Sequence, residues 1–124
     1  MFSKTVKESM DQSVLCWLAT ATLDGQPNVS PKEIFTYYQD EFILIANIAS
    51  PNSVRNIKAN ALVSVSFIDV LVQKGFQVKG KANIISKANE SFSALHAPLY
   101  AIAGPDFSFA STIKIQLEQA KPII

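Results

Sequence analysis

The stretch from Leu15 to Phe35, LCWLATATLDGQPNVSPKEIF, contains the signal that decides the fold of this chain. Two strand-like segments flank Asp24-Gly25, and this dipeptide between such segments is the strongest short-range signal for a β-hairpin. Pro31 lies inside the second segment, where a residue without a backbone N–H predicts a sheet edge, a bulge or a kink. The stretch therefore predicts an antiparallel sheet that begins with a hairpin.

The rest of the chain extends this sheet and adds helices around it. Apolar periodicity predicts helices near 5–13, 50–60 and 87–103, and strands near 14–22, 28–38, 42–48, 62–69, 75–85 and 111–118. The short turns between the early strands disfavour a parallel sheet, whose strands need long crossovers. We therefore predict a mainly β fold, one domain over 1–124, containing a six-stranded antiparallel barrel with peripheral helices, because closure removes unpaired edges.

The composition limits the classes of function. The chain has 124 residues, of which 48% are hydrophobic and only 17% charged, with a net charge of +1. This hydrophobic content excludes disorder, and the missing basic excess argues against a general nucleic-acid binder. The longest apolar run, Phe42–Ala49, is far shorter than the ~20 residues of a membrane span. So few charges leave apolar surface to be covered, which favours an oligomer.

Few residues are suited to nucleophilic, acid–base or metal chemistry. Cys16 is the only cysteine and His96 the only histidine, so an internal disulfide is impossible and the two alone cannot form a metal site. We interpret Cys16 as a core residue, which fits a reducing cytoplasm, and His96 as a surface or packing residue. Phe76, Phe107 and Phe109 could stack on bases in a small barrel that binds single-stranded nucleic acid, but core packing is the simpler interpretation.

The most informative polar segment is Asn47–Asn56, where a strand ends and a helix begins. Ser50 suits the N-cap, and Pro51 suits the first helical position. The free backbone N–H groups and the positive dipole end at such a helix start attract anions. Arg55 is the only arginine of the chain, and its planar guanidinium suits phosphate. The segment indicates an anion site, although the same residues also fit an ordinary capped helix.

The segment around Pro31 suggests a second part of the site. Strand alternation places Ser30 and Lys32 on one face, and a charge on an inward face requires a partner. Two interpretations follow from this arrangement. Either Lys32 and Glu33 are rim residues, or Pro31 frees backbone groups that face a planar ligand beside Lys32.

Three motifs, in this order and spacing, resemble the pyridoxamine 5'-phosphate oxidase-like, FMN-binding split-barrel proteins, particularly the small single-domain members. The motifs are the stretch Leu15–Phe35, the segment FILIANIASPNSVRNIKANALVSVSFID at 42–69, and the segment GFQVKGKANII at 75–85. The resemblance runs over about Val14–Leu117. It implies a split β-barrel and a homodimer with two FMN molecules, one in each of two clefts between the subunits.

The resemblance also implies which residues contact the cofactor. The phosphate is expected at the helix after the third predicted strand, and the flavin and ribityl chain along the second and third predicted strands. The candidate cofactor-binding residues are therefore Ser30, Pro31, Lys32, Ala46, Asn47, Ile48, Ser50, Asn52, Ser53, Arg55 and Asn56.

This chain departs from the family at the first turn of that helix. Many members carry a lysine or arginine where this chain has Asn52. The resemblance leaves Arg55, or a lysine such as Lys79 or Lys81 on the fifth predicted strand, as the candidate cation for the phosphate.

We expect a cytoplasmic FMN-binding flavoprotein, an oxidoreductase or electron-transfer protein with no nucleic-acid or membrane partner. The sequence names neither its redox substrate nor its electron donor. No residue is a convincing acid–base catalyst, so the flavin is expected to carry the chemistry. The alternatives are a non-enzymatic flavin or haem carrier or sensor, since some relatives bind haem or a deazaflavin, and a small barrel that binds single-stranded nucleic acid.

Overall fold

A computed structural model describes residues 2–48, 50–104 and 111–123, and these contain three helices and seven strands. The helices are α1 (Lys4–Gln12), α2 (Pro51–Ala59) and α3 (Phe92–Ala103). The strands are β1 (Cys16–Ala21), β2 (Pro27–Lys32), β3 (Phe35–Tyr38), β4 (Phe42–Asn47), β5 (Leu62–Asp69), β6 (Lys74–Ser86) and β7 (Ser111–Pro122). None of these three helices is both long enough and apolar enough to cross a bilayer.

The strands form one sheet in the order β2-β1-β5-β6-β7-β4-β3, and every neighbouring pair is antiparallel. The strands β2 and β3 are separated in the chain only by Glu33 and Ile34, yet they lie at opposite ends of this order. The sheet must therefore curl until its two edges approach each other. The predicted mainly β, split-barrel type of fold is confirmed.

The strand count of seven corrects the predicted six. The single strand predicted over 28–38 is divided at Glu33 and Ile34, because β2 pairs with β1 whereas β3 pairs with β4. The chain leaves one edge of the curled sheet here and joins the other, so the ladder is interrupted. Pro31 lies in the edge strand β2, where its missing N–H removes no ladder bond on the unpaired side.

Two glycines have specific conformational roles in the sheet, and the first confirms the predicted turn. Gly25 adopts a φ of +94° in the turn between β1 and β2, and its N–H donates to the carbonyl of Thr22 at 3.1 Å. The register of β6 against β7 shifts between Lys79 and Gly80, which is a β-bulge. A Cβ at Gly80 would collide with the carbonyl oxygen of Gln116, so the strands require glycine at this crossing.

The helices cover the openings and one outer face of the sheet. Val6 and Met10 of α1 are buried in the main core, whereas Val14, which follows the end of the helix at Gln12, is exposed. The third predicted helix starts at Phe92 rather than near 87, and Pro98 lies inside it without ending it. Buried Leu95 and Leu99 of this helix pack against Leu44 and Ala46 of β4.

The register of β1 against β2 determines which side chains of β2 face inward. Cys16 and Leu18 are fully buried on the inner face of β1. Their partners across the ladder are Lys32 and Ser30, and directly opposite residues of an antiparallel pair share a face. The sheet therefore directs the Lys32 side chain inward, toward the core.

Candidate functional site

A cavity of about 200 Å³ lies where the ends of β2 and β4 meet the start of α2. Its lining residues are Pro31, Lys32, Glu33, Ile34, Ala46, Ile48 and Ser50. Five of them, Pro31, Lys32, Ala46, Ile48 and Ser50, belong to the set predicted from the sequence to bind a cofactor. The curled sheet thus brings the two predicted segments to one place.

Lys32 is the principal charge on the inner wall of this cavity. Its residue surface is only 6% exposed, and its Nζ donates a hydrogen bond to Oγ of Ser50. Burial lowers the pKa of Lys32 because the ammonium loses water, while the nearby Cys16 acts in the opposite direction. The Lys32 side chain is therefore buried and not at the rim, whereas the neighbouring Glu33 is exposed at the cavity rim.

Ser50 occupies the N-cap position of α2 but makes no side-chain bond to the helix. Its carbonyl accepts the N–H of Val54 at 3.2 Å, which is the first hydrogen bond of the helix. The N–H groups of Asn52 and Ser53 precede that bond, and Pro51 has none. No acidic residue occupies the first turn of α2. The helix start therefore presents donors and the positive dipole end beside Ser50.

Two side chains of α2 fasten the helix to the sheet. Ser53 is only 1% exposed, and its Oγ lies 3.1 Å from Oγ of Ser30. Nδ2 of buried Asn56 donates to Oγ1 of Thr20 at 3.0 Å. These three predicted residues, Ser30, Ser53 and Asn56, therefore hold α2 in position, and their side chains do not border the cavity.

Arg55 lies on the exposed side of α2, where its Nη1 donates to Oδ1 of Asn52 at 3.2 Å. Neither side chain borders the cavity. Lys79 and Lys81 are exposed on β6, which the strands β1 and β5 separate from β2, and Lys81 pairs with Glu118 at 4.0 Å. Within one chain, these three cations are all farther from the inner wall of the cavity than Lys32.

Asn47 is turned toward β7 rather than toward the cavity. Its Nδ2 donates to Oγ of Ser111 at 2.9 Å, and its buried Oδ1 has no hydrogen-bond partner among the residues that the structure describes. The same holds for the buried Oγ1 of Thr112, the neighbouring residue of β7. The end of β4 and the facing start of β7 therefore each carry a buried polar atom without a hydrogen-bond partner among the described residues.

Sequence reasoning missed Thr20 and Ile34, and it considered Glu33 only as a rim residue. Thr20 alternates with Cys16 and Leu18 along β1, so its inward direction was available from the period of two. Glu33 and Ile34 line the cavity because the strand breaks there, and Pro31 indicated an irregularity nearby without fixing the position of the break.

Cys16 and His96 occupy the positions that the sequence suggested. Cys16 is fully buried, and burial raises the pKa of its thiol to about 12, so the group is an unreactive thiol at neutral pH. His96 lies between Phe92 and Tyr100 on α3, with ring centroids 4.8 and 5.7 Å away. It borders a surface cavity of α3 and not the one beside Lys32.

Of the three phenylalanines considered as base-stacking residues, Phe76 packs against Phe67 with ring centroids 6.3 Å apart. This contact supports its interpretation as a packing residue. Phe107 and Phe109 lie outside the described residues.

The sequence of the chain matches a known protein family. A model of the pyridoxamine 5'-phosphate oxidase family matches residues 2–122. The chain belongs to this family. No curated protein sequence matches it. The expected resemblance is therefore confirmed over almost the whole chain.

Solved structures similar to this member of the pyridoxamine 5'-phosphate oxidase family show the same fold. HupZ of Group A Streptococcus superposes with a TM-score of 0.82 at 19% identity, covering 99% of this chain and 94% of its own. An FMN-binding protein from Syntrophomonas wolfei reaches 0.78 at 13% identity, with 96% and 84% covered. HutZ, the haem storage protein from Vibrio cholerae, reaches 0.73 at 23% identity, with 97% and 92% covered. At these identities the likeness concerns the fold alone.

Proposed function

We propose that this chain binds FMN in the cavity beside Lys32 and acts as a small oxidoreductase or electron-transfer protein of the cytoplasm. The observation that carries the proposal is the position of the cavity, at the meeting point of β2, β4 and the donor-rich start of α2. A phosphate fits the helix start, and a planar ring fits a wall that includes Pro31, Ala46 and Ile48.

The residues of the cavity suit binding and orientation more than acid–base catalysis. Bound FMN supplies hydride or single-electron transfer, and the chain supplies the position and the electrostatic environment. Glu33 is the one carboxylate among the seven lining residues, and it is exposed at the rim. The proposal therefore assigns no catalytic residue.

A second copy of the chain completes the proposed site. A cavity of about 200 Å³ is smaller than the ~300–1,000 Å³ of most ligand sites, so one chain encloses part of the ligand. The outer face of β1, β2 and β5 carries exposed apolar side chains, with Trp17 47%, Val29 58% and Leu62 58% exposed. We propose a homodimer that buries this face, because a contiguous apolar patch of this kind is typical of interfaces.

The lining residues favour a flavin over haem. Haem iron in proteins is held by His, Cys, Met or Tyr, and none of the seven lining residues is of these types. His96 borders a separate cavity on α3, and Cys16 is fully buried. Nucleic acid is disfavoured by the net charge of +1.

Equilibrium titration of the purified protein with FMN, haem and a deazaflavin tests this function. We expect FMN to bind at one molecule per chain, with quenching of its fluorescence, and haem to bind without fixed stoichiometry. Stoichiometric binding of haem or of the deazaflavin, with no binding of FMN, would overturn the proposal.

A further inference from the structure

Lys32 is a buried cation without a carboxylate partner among the described residues. The ion pairs within that part of the chain involve Lys4, Lys7 and Lys81, and none involves Lys32. Buried charges in proteins are normally paired, because an unpaired charge loses its water without compensation. A lysine that is 6% exposed and lines a cavity is therefore arranged for an anion in that cavity.

The position of the Lys32 ammonium indicates where in the cavity this anion would bind. Lys32 Nζ donates to Ser50 Oγ, and Ser50 immediately precedes α2. The N–H groups of Asn52 and Ser53 lie at the same helix start. Two independent sources of positive potential, the helix dipole and a buried ammonium from another strand, thus meet at Ser50.

We propose that Lys32 is the cation that binds the phosphate of the ligand, from β2, in place of a cation in the first turn of α2. That turn holds Pro51, Asn52 and Ser53, none of which is charged. The ligand class is a phosphate monoester, and the assignment of that monoester to FMN rests on the proposed function.

The structure favours Lys32 over Arg55 for this role. The Arg55 guanidinium is exposed and already donates to Asn52 Oδ1, so water screens its charge. Water and salt screen the interactions of exposed charges, whereas the interactions of a buried ammonium with an anion are screened much less. The anion also provides the partner that the buried ammonium lacks.

The test compares FMN with riboflavin, which has no phosphate, in matched variants. Lys32→Met keeps the apolar stem and removes the charge, and we expect it to weaken FMN about 10- to 150-fold, the range of one charged hydrogen bond, and riboflavin less than about threefold. Lys32→Arg should restore most of the affinity for FMN. Lys58→Met, in the last turn of the same helix and exposed, is the control and should match wild type.

Arg55→Ala is the competing variant and should reduce FMN affinity less than Lys32→Met does. Thermal denaturation of each variant shows whether it folds. An equal loss of both flavins in Lys32→Met, or unchanged FMN binding, would overturn the assignment while leaving the FMN function intact.

A second arm uses inorganic phosphate instead of a flavin. Phosphate, compared with chloride at equal ionic strength, should raise the melting temperature of wild type, and the shift should vanish in Lys32→Met. If FMN does not bind wild type but the phosphate-induced rise in melting temperature depends on Lys32, the proposed FMN function is wrong. The assignment of an anion to Lys32 is then still supported. If FMN does not bind wild type and phosphate gives no shift that depends on Lys32, both proposals are wrong.

Discussion

Cys16 and Lys32 are opposite neighbours on β1 and β2, and burial perturbs both. The thiol pKa rises from 9.0 to about 12, whereas the pKa of Lys32 falls. Between pH 9 and 12 the folded state therefore retains a thiol proton that the unfolded state has released. Stability from this group is complete below pH 9 and is lost as the pH rises toward 12.

Cys16→Ala should therefore flatten the alkaline loss of stability. Lys32 has the opposite effect on stability, because its lowered pKa leaves the unfolded state with more protons below pH 10.5. This contribution is present in wild type and in the variant, so the comparison isolates the effect of the thiol. Urea unfolding of wild type and variant between pH 8 and 11 measures the difference. Parallel curves for the two proteins would show that the thiol titrates normally in the fold.

At the scale of elements, α2 is positioned by its contacts with β1 and β2. Asn56→Ala removes the buried bond to Thr20 and leaves that hydroxyl unpaired, which should cost about 1–3 kcal/mol of unfolding free energy. FMN affinity should fall with it, since the helix start is then less well fixed. Urea unfolding measures the cost.

Asn52→Ala is the matched control for this helix. Asn52 is exposed and contacts only Arg55 among the side chains whose hydrogen bonds the structure gives, so its loss should change stability by less than about 0.5 kcal/mol. Equal losses of stability in the two variants would contradict the docking role of Asn56.

The elements that follow from local chemistry were predictable. The Asp24-Gly25 hairpin and the Ser50-Pro51 helix start each depend on backbone preferences of a few residues. The division of the strand at Glu33 and Ile34 was not predictable, because it follows from closure of the whole sheet.

The candidate site follows the same rule. The sequence identified the start of α2 and the segment at Pro31, since each has its own local signal. It offered Arg55, Lys79 or Lys81 as the cation for the phosphate and assigned Lys32 to the flavin, because only neighbours within one helix or strand are visible in a sequence. The contact of Lys32 with Ser50, from a different strand, depends on how the sheet brings β2 to α2.

At the scale of the molecule, the apolar outer face of β1, β2 and β5 predicts the assembly. Trp17→Glu puts a charge in the middle of this face and should convert a dimer at micromolar concentration into a monomer with weaker FMN binding. Leu71→Glu changes a side chain that is 91% exposed in the turn between β5 and β6, off that face, and should remain dimeric.

Light scattering coupled to size-exclusion chromatography separates these outcomes. A Trp17→Glu protein that stays dimeric would show that the interface lies on another surface. A wild-type protein that is monomeric at micromolar concentration would show that no second subunit contributes to the proposed site.

Native mass spectrometry of the purified protein tests the central claim most directly, because it reports cofactor and assembly together. The proposal predicts a dimer that carries two molecules of FMN, lost as free FMN on denaturation. A folded protein that takes up no FMN when the cofactor is added, or that carries haem in its place, would contradict it.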